Sequence, residues 1–299
     1  MKGKAGGTKM EQKKQSKQIS EILGLSLFIA MFLLLLSALV LQYVNIESAD
    51  MLLLVRLAMK IPIFILPVCF VYVLWRKLQI PRPVSLHKVS AGRNFLIGLS
   101  SVGVIGILQI LYSAVFPSSV TVMGVSEQTS PIGFLMMFAV YVVTPAVLEE
   151  FYFRGVALSV LTIHRKLLAL LISSLVFALM HFSIEIFPLA FLCGLVLGTA
   201  YLATGSLGCV ILIHLSCNGI WYAAEITGVF FSAAYPIFIQ SVFAACVLML
   251  AAGVPMLKTT LGTVFEDNED AAPSSYFWSF PMGMFIVTAA LLQILWKGY

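Results

Sequence analysis

The chain is poor in charge. Charged residues make up 10% of its 299 positions and hydrophobic residues 61%, against about 25% and about 45–50% in soluble globular proteins. A water-soluble fold of this size cannot hide so much apolar surface, so a soluble enzyme and a disordered chain are excluded. Cysteine is scarce. Cys69, Cys193, Cys209, Cys217 and Cys246 all lie in apolar stretches without a C-x-x-C pair, which argues against a disulfide scaffold, a zinc cluster or a redox motif. They read as small buried hydrophobes. The H-E-x-x-H signature of the common zincins is missing. No internal repeat is visible, whereas inverted repeats mark many transporters.

Long apolar runs are what the sequence has in quantity. Nine can be drawn, over 22–44, 51–75, 95–116, 132–153, 167–182, 187–203, 209–231, 232–256 and 277–296. About 20 residues are needed for a helix to cross a hydrocarbon core. Transmembrane barrel strands instead alternate over about 10 residues. The expected fold is therefore all-α, a polytopic transmembrane helical bundle of about eight spans, nine if every run crosses. The short segments between 167 and 226 are candidates for half-spans or interfacial helices. The first run is 23 residues long and follows a 21-residue tail without an A-x-A site, so it reads as a signal-anchor helix rather than a cleaved signal.

Four parts follow from this pattern. Residues 1–21 form a basic tail, read as unstructured because it is low in apolar residues. Residues 22–131 hold N-terminal membrane helices and 132–226 a core of further helices. Residues 227–299 hold the last helices, with an acidic loop near 259–276 that carries Glu266, Asp267, Glu269 and Asp270. Lysine and arginine sort to alternate loops. The tail carries Lys2, Lys4, Lys9, Lys13, Lys14 and Lys17. Two later loops carry Arg76, Lys77, Arg82, Lys88 and Arg93, then Arg165 and Lys166, while 45–50 and 117–131 carry none. By the positive-inside rule the N-terminus is cytoplasmic, in a multi-pass protein of the cell membrane. The net charge of +5 reflects this asymmetry and an attraction to anionic membrane lipid, not nucleic-acid binding.

Ionisable groups within apolar runs are costly, so each is a candidate for function. They are Arg56, Lys60, Glu149, Glu150, Arg154, His181, His214 and Glu225. Arg56 and Lys60 sit toward the outer end of the second run and can snorkel to the interface. Glu150 and Arg154 are four residues apart, so they meet on one helical face as an ion pair. Glu149 is rotated about 100° away and has no such partner. A carboxylate left alone in a low-dielectric site holds its proton more tightly, and one tuned toward neutrality suits general-base work. Ordinary interfacial charges at a helix end are the plainer reading of the same pair. The histidines tip the balance. His87 and His164 lie in basic loops, but His181 and His214 lie in apolar runs, with Asn218 one turn after His214. His214 and Asn218 share a face and can aim donors at one spot, as an oxyanion hole requires.

The strings Glu149-Glu150-Phe151-Tyr152-Phe153-Arg154-Gly155, Phe177-Ala178-Leu179-Met180-His181 and His214-Leu215-Ser216-Cys217-Asn218 fit E-E-x-x-x-R, F-x-x-x-H and H-x-x-x-N. In that order they resemble the three motifs of the CAAX prenyl protease and bacteriocin-processing (Abi) family of intramembrane endopeptidases. The resemblance covers about 132–226. It implies a glutamate-activated water with no obligatory cofactor or metal. Glu149 would be the base, with His181 helping to activate the water. His214 and Asn218 would stabilise the oxyanion, and Glu150, Arg154 and Phe177 would support the site. The substrate would be a membrane-associated peptide or a lipidated protein. For Glu149 to lie as deep as His181, the fourth helix must run on to about Ile163 and bend near Pro145.

Three other readings stay open. The first is a zinc metalloprotease using Glu149, His181 and His214, since two histidines and a carboxylate can make a catalytic zinc set. The second is a non-catalytic scaffold or bacteriocin-immunity protein, and the third a proton-coupled transporter with the same residues as a relay.

Overall fold

In hydrocarbon every backbone polar group must be satisfied within the structure, and a helix does this alone. The computed structural model describes residues 2–44, 46, 48–77, 90–116, 123–162, 165–265 and 279–295, and they are helical almost throughout, without a strand. The acidic patch at 266–270, Arg82, Lys88, His87 and His164 lie outside the described residues. Nine helices follow one another among those described. They are α1 (Lys2–Tyr43), α2 (Ala49–Lys77), α3 (Ala91–Val115), α4 (Pro131–Leu161), α5 (Lys166–Leu179), α6 (Phe187–Thr204), α7 (Leu207–Phe230), α8 (Tyr235–Phe265) and α9 (Phe280–Leu295).

Seven of these are long and apolar enough to cross a membrane. The other two, α5 and α9, correspond to apolar runs of the sequence but contain 14 and 16 residues. At 1.5 Å per residue α5 extends about 21 Å, short of a full crossing. The chain is a multi-pass, all-α membrane protein.

Local sequence explains the helix ends. Ser90, Ser130 and Ser206 are N-caps whose hydroxyls accept the amides of Arg93, Gly133 and Cys209. Gly205 closes α6 in the left-handed region at φ 62°.

The basic tail departs from the sequence reading. Helix α1 begins at Lys2 and continues through the first apolar run. Met, Lys, Gln and Glu are good helix formers, and lengthening a helix already nucleated in the membrane costs little. Ser16, Ile19 and Ser20 are buried, with Ile19 packed against Val71 and Val160, so the end of the tail belongs to the bundle.

Helix α4 organises the rest. Its Tyr152 and Phe153 sit in the main core with Leu23 and Leu27 of α1, Phe64 of α2, Phe177 of α5 and Phe285 of α9. A second core joins α3, α6 and α7 through Ile97, Ile105, Leu197 and Ile213. Helix α8, the least buried of the seven long helices, packs chiefly on α3. Helix α4 does not stop at Phe153 but continues to Leu161, as the depth of Glu149 required. It is wound as a π-helix over Phe138–Val143 and again over Phe151–Leu158. The first of these ends just before Pro145, which has no amide hydrogen to give to the preceding turn.

Candidate active site

Three helices bring the motif residues to one cavity of about 280 Å³, with Glu149, His181, His214 and Asn218 all in its lining. Glu149 comes from α4, His181 from the turn after α5, and His214 and Asn218 from α7. Lys60 of α2, Tyr141, Cys193 and Trp221 line it as well.

Glu149 and Glu150, adjacent in sequence, have different surroundings. Glu150 is fully buried. Its Oε1 accepts Arg154 Nη1 at 2.8 Å and also lies 2.8 Å from His214 Nδ1. Arg154 is fully buried too, and its Nη2 donates to the Gly194 carbonyl at 3.2 Å. The guanidinium lies 4.6 Å from the centroid of the Phe177 ring, a cation–π contact. Glu149 faces the cavity instead, and among the described residues no side chain forms a salt bridge or hydrogen bond with it. The one-residue offset along the helix thus separates a paired carboxylate from an open one.

Each histidine is held by one ring nitrogen. Nδ1 of His181 lies 2.9 Å from the Phe177 carbonyl. A carbonyl only accepts, so Nδ1 carries the hydrogen and a neutral ring offers Nε2 as an acceptor. The F-x-x-x-H spacing has a physical cause here. Helix α5 ends at Leu179, the last carbonyls of a helix lack intrahelical donors, and the ring four residues on supplies one. A second carbonyl at this end, that of Leu179, accepts Gln293 Nε2 from α9. The Phe177 ring packs edge-on against His181 and His214, with centroids 5.0 and 6.4 Å away. Phe177 therefore touches three of the motif side chains.

His214 and Asn218 line the same cavity, but each has one donor already engaged. Nδ1 of His214 gives its hydrogen to Glu150. Only a doubly protonated ring could donate a second one, through Nε2, to a substrate oxygen. Asn218 Nδ2 donates to the Tyr141 carbonyl at 3.3 Å, which leaves one amide hydrogen.

Two residues expected to reach for the interface turn inward. Lys60 Nζ donates to the Val140 carbonyl at 2.9 Å, and Arg56 Nη1 to the Tyr141 hydroxyl. Val140 and Tyr141 precede Pro145 by five and four residues, the π and α hydrogen-bond spacings. Their carbonyls face a position without an amide hydrogen, and they take side-chain donors from α2 and α7. The sequence signal for Lys60 was a lysine in an apolar run together with a proline in a second one. Glu225 has a different task. Its carboxylate accepts the backbone amides of Met123, Gly124 and Val125 at 2.8–2.9 Å and so fixes the segment ahead of α4.

Residues 131–220 match the family model described as type II CAAX prenyl endopeptidase, Rce1-like. This part of the chain is similar to the CAAX protease family. The match runs from the start of α4 into α7 and contains all three motifs. No curated protein and no solved structure matches the chain. The CAAX protease family implies a peptidase with intramembrane endopeptidase activity, acting on a peptide or a prenylated protein.

Among the described residues, no three His, Cys, Asp or Glu side chains group so as to hold a metal ion. The arrangement of Glu149, His181 and His214 thus gives no support to the zinc reading.

Proposed function

We propose that the cavity hydrolyses a peptide bond of a membrane-associated peptide or lipidated protein by a glutamate-activated water. Glu149 takes a proton from the water as its oxygen attacks the carbonyl carbon. His181, with Nε2 free to accept, holds the same water. The carbonyl oxygen becomes an oxyanion, which the free amide hydrogen of Asn218 stabilises, assisted by His214 when its ring is doubly protonated. Glu149 then passes its proton to the leaving nitrogen as the C–N bond breaks, releasing an amine and a carboxylic acid. Glu150 and Arg154 hold His214 and the fold around it, and Phe177 fixes His181.

The observation that carries this reading is the contrast between Glu150, committed to Arg154 and His214, and Glu149, open to the cavity beside two oriented histidines and Asn218. Its test uses the purified chain in proteoliposomes with a quenched fluorescent, farnesylated peptide ending in a CAAX box. Glu149→Gln keeps size and removes the base, so turnover should fall at least ~10²-fold with folded protein retained. Undiminished turnover by that variant would remove Glu149 from the mechanism.

The protein acts in the cell membrane with its N-terminus in the cytoplasm, the side favoured by the lysines of the tail. A cysteine placed in the tail should react with impermeant thiol reagents only after the cell is opened.

A further inference from the structure

A second cavity of about 450 Å³ lies between α1, α2 and α4 and shares Lys60 and Tyr141 with the first. Its walls are largely apolar, including Leu34, Met59, Ile63 and Phe182, but Arg56 also lines it. Arg56 and Lys60 are four residues apart, so their like charges project from one face of α2. At low dielectric such a pair is unfavourable unless an anion joins it.

No such anion is fixed there among the described residues. Among the described residues Glu149 is the carboxylate whose charge acts on Lys60, and it forms no salt bridge with it. Asp50, on the same helix, receives the Ser130 hydroxyl. Glu150 is engaged by Arg154. Among the described residues Lys60 thus has Glu149 as its open carboxylate and Arg56 as a second cation, an excess of one positive charge. Their hydrogen bonds are also incomplete. Lys60 gives one hydrogen to Val140 and packs over the Tyr141 ring at 5.6 Å. Arg56 Nε is buried without a hydrogen-bond partner. An ammonium and a guanidinium with donors to spare, in an apolar recess that shares Lys60 and Tyr141 with the catalytic cavity, have the chemistry of a carboxylate receptor.

We propose that Lys60 and Arg56 form a carboxylate-binding subsite, which selects substrates carrying an acidic group beside the scissile bond. The carboxylate is either the free C-terminus of the peptide or an Asp or Glu side chain. It sits on the Lys60 side of the second cavity while the scissile bond occupies the first, and the apolar walls take the uncharged neighbours. One negative charge there balances the excess and leaves Glu149 undisturbed as the base. The subsite rests on the endopeptidase reading, and its test is separate from turnover.

The test measures binding to the Glu149→Gln chain in proteoliposomes. The probes are dye-labelled apolar peptides in matched pairs, one pair ending in a carboxylic acid or an amide, the other amidated and carrying Asp or Asn. The acidic member of at least one pair is expected to bind at least about tenfold tighter than its neutral twin, the effect of one charge-assisted contact. Adding Lys60→Gln keeps a donor for Val140 but removes the charge, and should bring that ratio to within about twofold. Lys60→Arg keeps the charge and should preserve the preference. If Lys60→Gln does not fold, Arg56→Gln gives the same comparison. Equal binding within both pairs, no binding of any probe, or a preference that survives loss of the cation overturns the subsite. Turnover by Glu149→Gln itself would strike the base assignment alone.

Discussion

Glu150 and Arg154 allow fold and catalysis to be separated in one experiment. Both are fully buried, and their contact at 2.8 Å is an ion pair that α4 makes within the core. Replacing Glu150 by Leu leaves the guanidinium with the Gly194 carbonyl and the Phe177 ring but no counter-charge. Replacing Arg154 by Met leaves the carboxylate with His214 alone. Removing one partner of a buried pair costs about 3–5 kcal/mol. Removing both cancels that penalty. What is still lost is the cation–π contact on Phe177, about 0.5–2 kcal/mol, together with the acceptor of His214 and the donor to Gly194, about 1 kcal/mol each. The double variant should therefore lie about 2–4 kcal/mol below the parent, still well above the additive value. Glu150 Oε1 also orients His214, so the double variant should fold and yet lose at least ~10²-fold in turnover of the CAAX peptide. Chemical denaturation in mixed micelles, run on all four proteins, gives the coupling energy. Additive losses, or an Arg154→Met protein as stable as the parent, would refute the pairing argument. A stable double variant with full turnover would refute the role given to His214.

Asn218→Ala removes a donor that matters when the carbonyl oxygen gains charge, so kcat should fall roughly 10²-fold or more with little change in KM. Its melting temperature should stay near the parent's, because the bond to Tyr141 is worth only about 1 kcal/mol; ready unfolding with normal turnover of the surviving fraction would make Asn218 a packing residue. Dialysis against a strong chelator should leave activity intact, whereas inhibition reversed by added zinc would favour a metal mechanism. Glu225→Gln weakens the hold on three amides at once, so hydrogen exchange at Met123, Gly124 and Val125 should quicken by roughly 10-fold or more; unchanged exchange would show that other contacts fix this segment.

The fold was legible because hydrocarbon leaves a chain few options. Nine apolar runs became nine helices among the described residues, and the runs alone set their order. Length was harder to read. The run at 167–182 has enough apolar residues for a near-crossing, but α5 stops at Leu179 and the chain turns through Phe182 at φ 47°. This is a backbone state that a bulky residue adopts only when the surroundings impose it. Nothing in hydropathy marks such a turn, because Phe182 is as apolar as the helix before it. The helical tail is hard to read for the opposite reason. Its polarity reads as disorder, although Lys, Gln and Glu continue a helix well once a membrane span has nucleated it.

The candidate site was legible wherever its chemistry depends on spacing within one helix. The i, i+4 relation of Glu150 and Arg154 and the one-residue offset of Glu149 are intrinsic to α-helical winding, and both survive the π-helical stretch that follows. Contacts between helices were not legible. That Glu150 serves His214 as well as Arg154 depends on where α7 crosses α4. That Lys60 and Asn218 take the carbonyls of Val140 and Tyr141 depends on Pro145, which reads in sequence only as a bend. A proline in a membrane helix removes a donor, and the carbonyls it leaves must be satisfied by something other than water. The donors drawn in are then fixed at that depth and aimed at that turn. Pro145 lies four residues before Glu149, so the helix defect and the open carboxylate share a face of α4. The missing donor at Pro145 thus collects an ammonium and an amide beside the carboxylate, and polar groups costly elsewhere in the bundle gain a partner there.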